Sequence, residues 1–410
     1  MQRKKRISIV ISWPMFNKVG GTERVLANFC NAMVNKGYDI TVYSSDTELA
    51  PFLFSVDPSV KFIPYGMPEP SYWYSERGIK LRTCFILNKQ KRRDKRKLYE
   101  RLALSSMLKR KIKLTDTDLF VTFSIYSTYI LKKIIGDKID IPIVTMIHTH
   151  IDSALEEMFP SGIPRSYKQL KEIKEIKNTL SDFVETVSTS DFIQVLRPEY
   201  VSQVQEVFKG TKIIYIPNTV PQYSVSSKLT EKTVINVGRI CQSKRQHLLV
   251  EAFSIVSKKH PDWKLEFYGD IVDYSYKSYI DSLITKYKLE DKVFILGSTS
   301  LISEKLQKSS IFAFPTKFEG FPLALTEAMS MGLPAIGCIN CPSVNTLIKN
   351  GHNGFLCNDN AADMAETLSI LMENFNLRLQ LGHCAKQDMK EYDPSIIWNK
   401  WDFIIKSLID

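Results

Sequence analysis

The chain has 410 residues, 44% apolar and 24% charged, with a net charge of +11; that is enough for two domains with their own cores and excludes a disordered or low-complexity chain. No apolar run reaches the roughly 18–20 residues of a membrane-spanning helix. The seven cysteines are odd in number and scattered, which points to free thiols in a reducing cytoplasm rather than a disulfide framework.

The first residues, Met1-Gln2-Arg3-Lys4-Lys5-Arg6 before Ile7–Ile11, imitate a secretion signal. The apolar part is too short, and Ser12-Trp13-Pro14 offers no small-residue cleavage site, so a first strand is expected. Gly20-Gly21 then opens a helix over 22–36, in which Val25, Leu26, Phe29 and Met33 recur at helical spacing, before Gly37 and a strand over 39–44. A Gly-Gly turn lets backbone approach a phosphate closely. Glu23 would sit in the first helical turn, where the dipole already favours an acid, and no catalytic role is assigned to it.

From Lys80 to Lys113 there are fourteen Lys and Arg against Asp94 and Glu100, a net +12, which leaves the rest of the chain at −1. Leu98, Leu102, Leu104, Met107 and Leu108 lie among these charges in an interrupted helical pattern. The segment is expected to meet an anionic membrane surface, with a merely solvated basic face as the alternative. Nucleic acid is not expected, since Tyr99 is the one aromatic interleaved in the densest charges, 89–113. Asp116-Thr117-Asp118 has a spacing that can hold a metal, but it precedes a strand over 119–123 and reads as a turn at that strand's amino end. The strand-like run 141–147 ends at His148 and His150. Parallel sheets place function at carboxyl ends of strands, so one of this pair is a candidate, with His148 favoured as nearest the strand.

Ile216–Pro221 and the polar stretch 222–232 read as a hinge. Beyond it the first pattern repeats: strand 233–237, Gly238-Arg239, helix 246–258, Pro261, strand 264–268. Two such β-loop-α-β units predict two Rossmann-like domains with parallel sheets. The expected domains are 1–218 and 222–390, with an aromatic, apolar helix at 394–410 packing back on the first. Within the second, a strand at 293–296, a helix at 303–309 and strands at 311–315 and 334–338 are expected. Cys338 and Cys341 form a C-x-x-C pair, but no second pair or nearby histidine completes a zinc site.

The most informative stretch is Pro315–Met329. Glu319 lies on a tight loop, and Glu327 lies in the helix that follows. Pro322 fits the first helical position, so Leu323, Ala324 and Leu325 would present free N–H groups, where the dipole favours an anion. Glu327 falls about 7.5 Å along the axis from Pro322, at 1.5 Å per residue. Two carboxylates around an anion site suit a ligand with a diphosphate in the middle and hydroxyl-rich groups at both ends, such as a nucleotide-sugar. Arg239 and Lys244, on the strand-to-helix loop after Gly238, supply a planar fork and a point charge for phosphate oxygens. The glutamates alone would also suit a glycoside hydrolase's acid and nucleophile. A sugar-nucleotide epimerase and a non-catalytic protein binding through residues 80–113 are further alternatives.

Together these residues resemble glycosyltransferase family 4, retaining enzymes of the GT-B fold, in which two Rossmann-like domains face each other across a cleft. The resemblance is carried by Gly20-Gly21-Thr22-Glu23-Arg24-Val25, by Val237-Gly238-Arg239 with Lys244 and Leu248–Phe253, by Tyr268-Gly269-Asp270, and by Phe318-Glu319-Gly320-Phe321-Pro322 through Glu327-Ala328-Met329. Gly332-Leu333-Pro334 and Asn350–Leu356 continue it. It is dense over 213–375 and thinner before. It implies that Arg239 and Lys244 hold the donor diphosphate and stabilise the leaving group, and that Glu319 binds the donor sugar and Glu327 the ribose. Gly20, Gly21, Gly238, Phe321, Pro322, Leu323 and Ala324 would line the donor, and His148 would stand beside the sugar. No metal or other cofactor is required. The expected reaction moves a hexose or N-acetylhexosamine from a UDP-sugar to a growing glycan, such as a lipid-linked surface-polysaccharide, capsule or lipopolysaccharide intermediate, on the cytoplasmic face of the cell membrane. Arg245 stands where a glycine often follows the lysine, and Pro322 lacks an N–H where some relatives have glycine. Ser343-Val344-Asn345-Thr346 lacks the glycine and glutamate often found there, which leaves the donor sugar open.

Overall fold

A computed structural model describes residues 3–66, 104–136, 140–158, 167–171 and 177–410, without the side chains of 156–158, 168 and 171. The chain divides into two compact units, Met1–Pro217 with Trp398–Asp410, and Asn218–Ile397.

In the first unit seven parallel strands run in the order β3-β2-β1-β4-β5-β6-β7. They are β1 (Arg6–Ile11), β2 (Asp39–Ser44), β3 (Lys61–Pro64), β4 (Leu119–Thr122), β5 (Ile143–Ile147), β6 (Phe192–Val195) and β7 (Lys212–Tyr215). The central strands β1, β4 and β5 are covered on both faces, so their runs are almost continuously apolar. The helix Gly21–Asn35 follows β1 and buries Val25, Leu26, Phe29 and Met33. The helix Ile125–Ile135 follows β4 and is capped by Ser124, whose hydroxyl accepts the Ser127 amide at 3.0 Å, a contact worth about 1 kcal/mol. Trp398 and Trp401 from the helix Pro394–Ile409 meet Phe29 edge-on, at 6.2 and 5.2 Å between ring centres.

Two surface readings take definite form. Asp116 pairs with Arg6, and Asp118 pairs with Arg3 and Arg6, so the D-x-D triplet fastens the start of β1. Of the basic segment, 80–103 lies outside the described residues. Residues 104–111 are helical. There Leu108 is buried, and Leu104 and Met107 pack against a core that includes Val10, Phe120 and Ile130. The apolar side of the segment's described end is thus covered by protein and not free for lipid.

In the second unit six parallel strands run in the order β10-β9-β8-β11-β12-β13. They are β8 (Thr233–Val237), β9 (Lys264–Tyr268), β10 (Val293–Ile295), β11 (Ile311–Phe314), β12 (Ala335–Cys338) and β13 (Gly354–Cys357). The helix Gln246–Val256 packs Leu249, Ala252 and Phe253 into a core with Leu265, Phe267 and Ile336. Both sheets therefore reverse direction beside their first strand, between β1 and β4 and between β8 and β11. Such switch points leave a crevice at the carboxyl ends of the strands, where doubly wound sheets bind ligands. The expectation of two parallel-sheet Rossmann-like domains is met.

Candidate functional site

The β8–β11 switch point gathers most of the residues singled out in the sequence. After β8 the chain turns through Gly238-Arg239, and Gly238 donates its N–H to the Tyr268 carbonyl at 2.9 Å. Gly269, at φ +148°, lies so close that a Cβ there would stand 2.1 Å from the Gly238 carbonyl oxygen. Only glycine fits, because its φ is one that other residues avoid and the Gly238 backbone fills the space. The Arg239 carbonyl accepts from Gln246 Nε2 at 2.9 Å, while its guanidinium is exposed and has no ion-pair partner among the described residues. A short 3-10 turn, Gln242–Lys244, follows, and Lys244 forms a half-buried ion pair with Glu319.

Glu319 comes from the loop after β11 and is held from three sides. Its Oε1 takes Lys244 and, at 3.0 Å, the Thr316 hydroxyl, while its carbonyl accepts from the Ser343 hydroxyl at 2.7 Å. The Lys317 amide, in the same loop, donates to the Ser243 carbonyl at 3.1 Å. The helix Leu323–Ser330 begins next. Pro322 does not take the first helical position. With φ −76° and ψ 89° it stands one residue earlier, as the cap, because its extended ψ cannot continue a helix. The first-turn amides of Leu323 and Ala324 thus lie just past the proline, on half-buried residues, while Phe321 is buried against Tyr392 with ring centres 5.4 Å apart. Glu327 is buried, contrary to an ordinary exposed helix glutamate.

In the first unit, the β1–β4 switch point holds a cavity of about 320 Å³, lined among others by Trp13, Thr22, Phe123, Ser124, His148 and Thr149. His148 lines it from the end of β5, with its ring 4.9 Å from that of Phe123. Its Nε2 is enclosed without a hydrogen-bond partner among the described residues, and burial lowers its pKa to about 4. His150 is turned instead onto Tyr200, at 5.3 Å and nearly perpendicular, with Nδ1 accepting the Asp152 amide. Gly20 caps the helix Gly21–Asn35, and the Glu23 carboxylate folds over it so closely that a Cβ on Gly20 would lie 2.3 Å from Oε2. The loop carrying Trp13 is fixed by the buried Asp46, which accepts the amides of Met15 and Phe16 and the Ser44 hydroxyl. A larger recess of about 530 Å³ opens among Lys232, Thr233, Asp262 and Lys264. It runs along β9 from Lys264 to Tyr268 and past the start of β8, away from the β8–β11 switch point where a doubly wound sheet binds ligands, so we assign it no role.

The sequence reading missed several site residues. Trp13 and Thr22 carried no signal beyond their place after the first strand. Asp46, Thr316 and Ser343 act through side-chain hydrogen bonds to groups that only the folded loops bring near.

The chain matches two family models in succession, the one described as Glycosyltransferase Family 4 over residues 19–221 and the one described as Glycosyl transferases group 1 over 223–388. It is 27% identical to an uncharacterised glycosyltransferase of Haemophilus influenzae over 94% of this chain and 96% of that one. Among solved structures it is similar to sucrose-phosphate synthase from Thermosynechococcus elongatus, with a TM-score of 0.74, 14% identity and 99% of both chains covered. It is also similar to a variant of S. aureus TarM in complex with fondaparinux, alpha-GlcNAc-glycerol and UDP, with a TM-score of 0.70, 16% identity and 98% and 99% of the two chains covered. Those likenesses show the fold, a GT-B pair of parallel-sheet domains. With two family models matched in order along nearly its whole length, the chain belongs to the family 4 glycosyltransferases.

Proposed function

We propose that the protein is a retaining transferase that moves a hexose or N-acetylhexosamine from a UDP-sugar to a growing surface glycan. The observation that carries this reading is the meeting of Lys244 and Glu319 at a switch point, beside the N-terminus of the helix Leu323–Ser330. A point charge, a helix N-terminus and a carboxylate are what a diphosphate bearing a sugar needs in close order. Lys244 and Arg239 take the diphosphate, the Leu323 and Ala324 amides a phosphate oxygen, Glu319 the sugar hydroxyls and Glu327 the ribose. UDP and a GlcNAc-bearing glycerol in the TarM structure support this donor class.

In the reaction the bond from the anomeric carbon to the leaving phosphate oxygen breaks. The acceptor hydroxyl oxygen bonds that carbon on the same face and passes its proton to the departing phosphate. Arg239 and Lys244 neutralise the growing charge, so no metal is needed. The first unit's cavity, with Trp13 as an apolar wall, takes acceptor sugar. The +12 segment from Lys80 to Lys113 supports a lipid-linked acceptor met at the cytoplasmic face of an anionic membrane. No described helix is long and apolar enough to cross a membrane.

The test is a nucleotide-release screen over UDP-, GDP- and ADP-sugars without acceptor. Release from one UDP-sugar, abolished in a folded Glu319→Ala protein, is expected. Sugar release from a glycan with no nucleotide present would overturn the reading.

A further inference from the structure

We propose that Arg245 is a positioning residue of the donor clamp, and that its ion pair with Asp359 sets where Lys244 stands. The inference rests on the donor-clamp reading given above. Arg245 has φ 53° and ψ 36°, left-handed backbone that glycine adopts freely and an arginine does not. An arginine held in that conformation calls for a role its side chain alone can fill. The side chain has one: Nε donates to the Pro315 carbonyl at 2.7 Å, and the two terminal nitrogens take both carboxylate oxygens of Asp359, at 2.7 and 3.1 Å. This planar, two-bond contact is specific to a guanidinium.

The groups so joined belong to three loops at the carboxyl end of one sheet. Arg245 follows β8, Pro315 opens the loop after β11 that carries Glu319, and Asp359 follows β13. Arg245 is also the residue next to Lys244, whose own side chain is a flexible four-carbon stem. Lys244 meets only Glu319 by ion pair among the described residues, and a bound donor would engage both of these groups. The Arg245 side chain bonds neither the Lys244 nor the Glu319 side chain, so its contacts persist when the donor enters, with Asp359 fixing the guanidinium and the Pro315 bond keeping the loops after β8 and β11 in register. Arg245 acts in this scheme through Lys244, its fork being taken up by Asp359 and Pro315. The pair stays charged well into the acid range, because the Arg245 hydrogen bond, ahead of the opposing effect of burial, lowers the Asp359 pKa.

The experiment measures UDP and UMP binding by calorimetry, with donor hydrolysis and melting temperature, for the whole chain carrying Asp359→Asn, Arg245→Lys or Lys244→Ala. Lys244 is assigned to the diphosphate, so its displacement should weaken UDP more than UMP. For Asp359→Asn and Arg245→Lys we expect UDP affinity and turnover to fall on the order of tenfold. UMP affinity should stay within about twofold of the parent, and melting should be little changed. Arg245→Lys keeps the charge but loses the planar two-bond fork, and serves where Asp359→Asn does not fold. Parent-like UDP affinity and turnover in both overturns the inference, as does an equal loss for UDP and UMP, which marks a merely structural role. The two readings fail differently. If Lys244→Ala loses UDP while Asp359→Asn keeps it, only the positioning role is wrong. If Lys244→Ala binds UDP as the parent does, the donor clamp itself is wrong.

Discussion

Lys244 and Glu319 neutralise each other in a half-buried loop, an arrangement a diphosphate-sugar can take over group for group. Removing Lys244 or the exposed Arg239 should therefore cost chemistry more than folding. Lys244→Ala and Arg239→Ala are each expected to lower turnover on the order of 10²-fold or more, as for the loss of one charge-stabilising donor. Steady-state kinetics with matched melting curves checks this. Another residue-scale expectation concerns pH. His148 has a pKa of about 4 in the fold, against an ordinary 6.5, because burial disfavours its charged form. The unfolded chain therefore binds that proton more readily, and stability is lost as pH falls from about 6.5 toward 4, with no contribution above pH 7. Denaturant midpoints at pH 7.5 and pH 5 should fall less for His148→Gln than for the parent, and equal falls would exclude the effect. The places of Arg239 and Glu319 at the carboxyl end of the second sheet were legible because each sits beside a glycine that marks its loop. The Arg245–Asp359 pair was not, since 114 residues separate the partners and nothing local to either names the other. Glu327 was visible as a helix residue, but its burial depends on what the helix packs against.

Among the elements, the turn after β8 depends on a neighbour from another strand. Gly269→Ala would drive a Cβ into the Gly238 carbonyl and demand a φ of +148° from alanine. We expect a loss of roughly 1–3 kcal/mol, with weakened UDP binding because the Gly238-Arg239 turn must shift, readable by urea unfolding and calorimetry. The central strands of both sheets were readable from sequence since apolar period and glycine stops agreed there, whereas the outer strands β3, β6, β7 and β13 and helices such as Ile125–Ile135 and Glu199–Val207 were not placed. The helix expected at 22–36 runs Gly21–Asn35, and the strand expected at 233–237 lies there unchanged. Pro322 misled by one residue because proline suits both the first helical position and the extended residue before it, and the choice rests on ψ, which composition does not show.

At the scale of the molecule, two sheets share one strand order, and each has its candidate residues at the point where that order reverses. The echo of two β-loop-α-β units made this pattern legible. The returning residues Trp398–Asp410 belong to the first unit, and Trp401 is almost wholly buried against Phe29. Trp401→Ala should cost that unit about 3–5 kcal/mol. If the units melt separately, one transition should move and the other stay, as calorimetry would show. A shift of both by the same amount would mean that they unfold as one.

That contact also sets an order of assembly during synthesis. Phe29 and Phe123, edge to face at 6.4 Å between ring centres, are both synthesised long before Trp401, the side chain that closes over Phe29, which is added after the whole second unit. Until then the earlier unit presents an open aromatic groove to the cell. A ribosome that stalls anywhere before Trp401 releases a chain with that groove still exposed, the kind of apolar surface on which chaperones and proteases act.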